Sequence, residues 1–328
     1  MTDVFSEIKR KLSGKRKTII LPEGTDLRIV EAASRLHSEG FVKPVLLGDE
    51  TQIADTAKGA GIDLMDIEIL VPEADPEFEE LCERFVDRRN GKATIEQARE
   101  LLKDPNTYGT MLVYTGRADG LVSGAVHSTA DTVRPALQII KTKPNISRTS
   151  GAFIMMRGEE RLVFADCAIT VNPTAQELAE IAVESAKTAR AFGIEPRVAM
   201  LSFSTKGSAV TEETTKVVEA AEIAKKLDPE LLLDGEFQFD AAYVPEVAKK
   251  KAPDSVIKGD ANVFIFPSLE AGNIGYKLTQ RLGNYEAIGP ILQGLNAPVN
   301  DLSRGCSVED VYKLCLITAV QSLPDEEQ

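Results

Sequence analysis

The chain has no tryptophan, only two histidines, four cysteines and no long uncharged apolar run. Each shortage excludes something. The cysteines, Cys82, Cys167, Cys306 and Cys315, form no CxxC pair, so a zinc site or thioredoxin-like couple has no support, and free thiols in a reducing cytosol are expected. With only His37 and His127 available, the usual general base near neutral pH is scarce, and any chemistry should rest on other groups. No apolar stretch approaches the ~18 residues of a membrane span. Charges run throughout Met1 to Lys17, so no secretion signal is expected. Basic residues are outnumbered 38 to 51, for a net charge of −13. Such a surface repels nucleic-acid phosphates and anionic lipids, although a few converging arginines can still admit a small anion. No GxGxxG follows any strand, so nicotinamide binding lacks its signal, and no Walker A loop is present.

What remains is an ordinary globular composition, 43% hydrophobic and 27% charged over 328 residues, enough for one large or two ordinary domains. Short apolar runs alternate with helical spacing. Strands are predicted at Thr18–Leu21, Val42–Leu47, Ile67–Val71, Gly120–Ser123, Ala152–Met156, Leu162–Ala165, Arg197–Phe203, from Leu231 and at Val263–Phe266. Pro44 suggests an edge position for the second. Helices are predicted at Leu27–Ser38, Gln52–Gly59, Pro76–Asn90, Thr94–Leu102, Thr129–Lys141, Pro173–Phe192, Glu212–Leu227, Ala241–Ala248, Leu269–Leu282 and Ser307–Ser322. Tyr108–Tyr114 reads equally as helix or strand, Ala287–Gln293 only as an apolar segment, and Asp325 to Glu327 as an acidic tail. The alternation implies an α/β fold with mostly parallel sheets. The polar, turn-rich stretch Thr142–Ser150 divides it into domains at 1–144 plus 297–328 and 145–296.

In open parallel sheets, ligands bind beyond the carboxyl ends of strands, so the segments following strands carry the candidate chemistry. The first is SGAVHSTADTVRP, from Ser123. Unpaired N–H groups at a helix start attract anions, Ser128, Thr129 and Thr132 add hydroxyl donors, and Arg134 adds a full charge. The alternative, that Ser128 or Thr129 merely caps the helix, stands level with it. The second is APVNDLSRGCSVED, from Ala297. Ser307 and Asp310 fit a capping box, whereas Arg304 offers a planar fork of donors suited to phosphate. Cys306 invites an acyl-enzyme reading, but no activating base lies near it in sequence. The third is LSFSTKGSA, from Leu201. Asp234, Glu236 and Asp240 leave a magnesium site open.

These segments resemble the phosphate acetyltransferase and butyryltransferase family over essentially the whole chain. The matching strings are SGAVHSTADTVRPALQIIKTKP, LSFSTKGSA, DGEFQFDAA, FPSLEAGNIGYKLTQRLG and GPILQGLNAPVNDLSRGCSVEDVY. The resemblance implies two isocitrate/isopropylmalate dehydrogenase-like α/β domains, an active-site cleft between them and a homodimer. It implies reversible transfer of acetyl between coenzyme A and phosphate, with acetyl-CoA and acetyl phosphate as the activated partners, in the cytoplasm. No metal is needed for the chemistry, although family members can respond to monovalent cations. By position, Asp310 would take the proton of the coenzyme A thiol, Arg304 would hold the phosphoryl oxygens, and Ser303 would bond near the reacting thioester. Arg134 and, in a looser register beside Arg89, Arg88 would bind anionic groups of coenzyme A. Ser128, Thr129, Thr132, Asn273 and Lys277 complete the substrate-binding candidates. An ordinary aspartate titrates near ~3.9 and a thiol near ~8.5, so Asp310 is expected to be partly buried. A butyryl-specific relative, a nicotinamide-dependent dehydrogenase and an inactive acyl-CoA-binding module are the rival readings.

Overall fold

The computed structural model describes residues 4–64 and 66–324; the acidic tail lies outside them. From the N-terminus run α1 (Val4–Leu12), β1 (Lys17–Leu21), α2 (Leu27–Glu39), β2 (Val42–Leu47), α3 (Glu50–Gly59), β3 (Glu68–Leu70), α4 (Phe78–Arg89), α5 (Ile95–Leu101), α6 (Pro105–Tyr114), β4 (Gly120–Ser123) and α7 (Thr129–Pro135). Then follow β5 (Ser150–Arg157), β6 (Glu160–Ala165), α8 (Ala175–Ala191), β7 (Arg197–Leu201), α9 (Glu212–Leu227), β8 (Leu232–Phe237), α10 (Phe239–Tyr243), α11 (Pro245–Lys251), β9 (Val263–Ile265), α12 (Leu269–Gly283) and β10 (Glu286–Gln293). The chain ends on β11 (Val299–Asp301) and α13 (Val308–Gln321). Two compact units result, 1–141 with 295–328, and 142–294.

In the first unit the described strands form one parallel sheet, ordered β11-β4-β1-β2-β3. Its strands are short and continuously apolar, as strands covered on both faces must be; Ile19, Leu21, Leu46, Leu47, Leu121 and Val299 are fully buried. Helix ends are set by local chemistry. Asp26 caps the start of α2 and Gly40, at φ 75°, closes its end in the left-handed region. Thr94 opens α5 and Ser307 opens α13 with reciprocal capping boxes. The segment Tyr108–Tyr114 is helical: Asp104 caps α6, Pro105 occupies its first position, and its residues are buried nearly all round, which removes the periodicity that would have separated helix from strand. The Thr129–Lys141 prediction divides into α7 and a π-helical turn at Ala136–Ile140.

Pro44 does not mark an edge. β2 lies between β1 and β3. Gly48 N–H bonds to Leu70 O on β3, so alternate positions back along β2 face the same way. The donor missing at Pro44 points to that side, before β3 begins pairing at Val45.

The second unit holds a six-stranded described sheet, β10-β5-β6-β9-β7-β8, in which β5 runs against the rest. The predicted hairpin is present, with Gly158 and Glu159 between β5 and β6. The segment Ala287–Gln293 is strand β10, and the helix predicted at Ala241–Ala248 is broken at Val244–Pro245 into α10 and α11. Phe153, Met155, Phe164, Phe237 and Phe264 centre a buried apolar cluster. Among the described residues, no helix is long and apolar enough to cross a membrane.

Candidate active site

Strand order creates the site in the first unit. From β1 the chain steps outward to β2 and β3, then returns to place β4 and β11 on β1's other flank. This reversal is a topological switch point, where loops from adjacent strands separate and leave room for a ligand. Three loops leave the carboxyl edges of β1, β4 and β11 there: Pro22–Asp26, Gly124–Ser128 and Leu302–Ser307. Ser123 and Asp301 are register partners at that edge.

Two buried acids and one arginine bind these loops together. The Glu23 carboxylate accepts the backbone N–H groups of Gly124 (3.1 Å) and Ala125 (2.8 Å) on one oxygen, and those of Val126 and His127 (both 2.8 Å) on the other. The His127 ring Nδ1 lies 2.8 Å from the second oxygen. These donors are therefore occupied by the protein's own carboxylate. Arg28, in the first turn of α2, joins all three loops. It donates to both Asp26 oxygens, to the carbonyls of Ala125, Arg304 and Cys306, and to the Cys306 sulfur. Its hydrogen bonds hold the Asp26 carboxyl below the usual range. Asp301 accepts from the Thr129 hydroxyl at 2.6 Å.

The predicted residues fall into three groups. Ser303, Arg304 and Asp310 share the β11 loop and the start of α13. Ser303 and Arg304 are exposed and Asp310 is half-buried. Ser303 Oγ accepts from Gly305 N–H. The Arg304 guanidinium has no hydrogen bond or ion pair among the described residues, while its carbonyl is held by Arg28. One Asp310 oxygen, Oδ2, receives both Ser307 N–H (2.7 Å) and Ser307 Oγ–H (2.8 Å), so the residue does belong to a capping box. Oδ1 stays outside that box.

Ser128, Thr129, Thr132 and Arg134 form the start of α7. Ser128 caps it and bonds through both N–H and Oγ to Asp131, whose carboxyl it holds below the ordinary range. Thr129 is engaged with Asp301, and Thr132 is buried with its hydroxyl turned to the same carboxylate but without a well-formed hydrogen bond. Arg134 is exposed, and its guanidinium makes no hydrogen bond or ion pair among the described residues.

The remaining three are on other elements. Arg88 spends its guanidinium on the carbonyls of Ile139 (2.6 Å) and Ile140 (2.9 Å), closing the end of the π turn; in this state it is a structural arginine. Asn273 and Lys277 are on α12 of the second unit. Asn273 donates to Cys167 O, and Lys277 is exposed with its ammonium 5.7 Å from the Tyr276 ring centre.

The other chemical readings find little to build on. Burial pushes the Cys306 thiol up to about 11, which withholds the thiolate an acyl-enzyme would need. Asp234 pairs with Lys206 and Lys225, Glu236 accepts from Ser204 and Gly207, and Asp240 pairs with Lys251. No group of metal-binding side chains occurs among the described residues.

An α/β enzyme with its polar side chains on the loops of a switch point is the class that this fold and site define. Comparison makes it specific. The sequence model of the family described as Phosphate acetyl/butaryl transferase matches residues 3–319. The phosphate acetyltransferase of Bacillus subtilis (strain 168) is 64% identical over 323 residues, covering 98% of this chain and 100% of that protein. A phosphotransacetylase structure from Streptococcus pyogenes superposes with a TM-score of 0.96 at 57% identity, covering 98% and 99% of the two chains. At 13% identity and TM-score 0.56, over 94% and 100% of the chains, a putative 4-hydroxythreonine-4-phosphate dehydrogenase from Salmonella typhimurium shares the fold alone. The chain belongs to the phosphate acetyl/butaryl transferase family, and is thus an acyltransferase of two dehydrogenase-like α/β units.

Proposed function

We propose that the protein transfers acetyl reversibly between coenzyme A and inorganic phosphate, in one displacement with both substrates bound. In the direction of acetyl-CoA synthesis, Asp310 takes the thiol proton and the sulfur attacks the carbonyl carbon of acetyl phosphate. A C–S bond forms, the bond from carbonyl carbon to phosphate oxygen breaks, and phosphate leaves with the electron pair. Arg304 holds the phosphoryl oxygens and Ser303 bonds at the reacting carbonyl. Ser128 and Arg134 bind anionic groups of the substrates, as do Asn273 and Lys277, while Thr129 and Thr132, turned towards Asp301, fix the helix start that carries them. The displacement as written uses coenzyme A as a substrate and no cofactor besides.

The observation that carries this reading is the Arg28 clamp. It fixes the loop of Ser303 and Arg304 to the loop leading into α7 while the Arg304 guanidinium itself stays unengaged. A guanidinium held ready for an anion lets the protein bring two negatively charged reactants together, and such placement is worth ~7–11 kcal/mol. Preorganised donors then stabilise the developing charge. The similarity to proteins named phosphate acetyltransferase supports acetyl over longer chains; comparing turnover of acetyl-CoA and butyryl-CoA tests this. Four buried free cysteines fit a reducing cytoplasm. Exposed Ile274, Leu278 and Leu282, four residues apart on α12, offer an apolar stripe for a homodimer.

The test is phosphate-dependent loss of acetyl-CoA thioester absorbance. The wild type should consume acetyl-CoA only with phosphate or arsenate present, and Arg304→Ala should lose at least about a hundredfold in rate. Consumption independent of phosphate, or an unimpaired Arg304→Ala, would overturn the proposal.

A further inference from the structure

Asp301 was not among the predicted site residues, yet it ends β11 where β11 and β4 open into the site. Its side chain is 1% exposed and among the described residues it has no ion pair. One oxygen takes the Thr129 hydroxyl, and the other, Oδ1, is buried without a hydrogen-bond partner. Ser123 Oγ, on its register partner in β4, is likewise buried and unpartnered, and Thr132 Oγ1 from α7 is buried facing the carboxylate without a well-formed hydrogen bond. A Cβ added to Gly124 would lie 2.4 Å from Oδ1, so the loop backbone is pressed directly against the carboxylate.

A lone buried charge is costly unless it does something that repays the cost. What this one does is hold Thr129, the first residue of α7, by a charge-assisted bond. We infer that Asp301 is a positioning residue for the transfer reaction, fixing the hydroxyl-bearing first turn of α7 while ionised and relaxing that hold when it takes a proton. The inference rests on the proposed acetyl transfer. The groups around the carboxylate are hydroxyls from β4 and α7 and one charge, Glu23, from the turn after β1. α13, which also packs on β11, offers Thr318 to Asn300, the preceding residue. Burial and, to a lesser degree, the like charge of Glu23 raise the proton affinity of Asp301, and the hydroxyls of Thr129 and Thr132 oppose them; the balance lies at about 6. The switch would therefore operate just below neutral pH.

The experiment measures kcat and KM for phosphate from pH 5 to 9 in wild type and Asp301→Asn, and takes their ratio at each pH so that phosphate's own titration cancels. At pH 8 the variant should show a KM for phosphate raised about tenfold, the equivalent of one charge-assisted bond, with kcat changed much less. The ratio should fall towards one by pH 5, where the wild type is protonated too. If Asp301→Asn does not fold, Thr129→Val removes the same bond from the other side and should give the same convergence. A ratio that is flat with pH, or an unchanged KM at pH 8, in an enzyme that is otherwise active, overturns the role of Asp301 alone. A wild type without phosphate-dependent turnover overturns the acetyl-transfer reading and this one with it.

Discussion

Replacing Asp301 by asparagine should make the protein more stable at neutral pH. The carboxyl's rise from 3.8 to about 6 on folding corresponds to about 3 kcal/mol. The sign follows from proton binding. Between these values the folded state holds a proton that the unfolded state has released, so stability falls as pH rises through about 6. Below 3.8 both states are protonated and nothing is lost; above about 6 the whole penalty applies. An amide of the same shape never ionises and escapes it. Imperfect mimicry of the Thr129 bond should take back about 1 kcal/mol, leaving a gain of about 2 kcal/mol. For a unit of this size that is a rise in Tm of roughly 4–8 °C at pH 7.5. Calorimetry of both proteins at pH 7.5, 6.5, 5.5 and 4.5 reads it directly, and the gap should narrow steadily on the acid side. A variant no more stable than wild type at pH 7.5, or a gap that stays constant down to pH 4.5, would refute the reasoning.

Other outcomes follow from the same geometry. Arg28→Lys should keep a charge near Asp26 but lose the fork that reaches Ala125, Arg304 and Cys306 together. We expect kcat to fall about a hundredfold through misplacement of Arg304, and steady-state kinetics with a folding control check it. Cys306→Ala should retain most activity, and the wild-type thiol should react slowly with iodoacetamide at pH 7.5, because it titrates only at about 11. Asp310→Asn should lower kcat while leaving Tm within a few degrees, since an amide oxygen still receives Ser307, whereas Asp310→Ala should lose both activity and about 1 kcal/mol of stability by denaturant titration. Gly124→Ala combines a φ of +113° with the approach to Asp301 and to Leu302 backbone atoms, and should cost at least about 3 kcal/mol in a urea titration.

Elements with strong local signals were legible in the sequence: the apolar run of β1, the capped α2 and α13, and the hairpin of β5 and β6 all lie close to where residue spacing put them. Elements whose pattern is set by burial alone were not. α6 is enclosed on nearly every side, so it carries no amphipathic stripe, and β11 is three residues long, too short for any period. Missing β11 concealed Asp301 as the last residue of a strand at the ligand-binding edge. Glu23 and Arg28 were overlooked for a different reason. Apart from Asp26, their partners are about a hundred or more residues away in the chain, and no local motif announces a carboxylate that will meet four amides or a guanidinium that will bridge three loops. The helix-start hydroxyls and the Ser303–Arg304 pair were visible because loop chemistry is local. Arg88 was singled out by family position alone, and no local pattern announced that its guanidinium meets the carbonyls at the end of the π turn.

The loop after β4 has its counter-ion built in. With Glu23 seated among its amides, that stretch of backbone is ordered before any substrate arrives, and binding need not bear the entropy of arranging it. The same arrangement denies those amides to an incoming phosphate, so recognition passes to side chains that evolution can exchange one at a time. Rigidity and adaptability are thereby assigned to different atoms of one short loop.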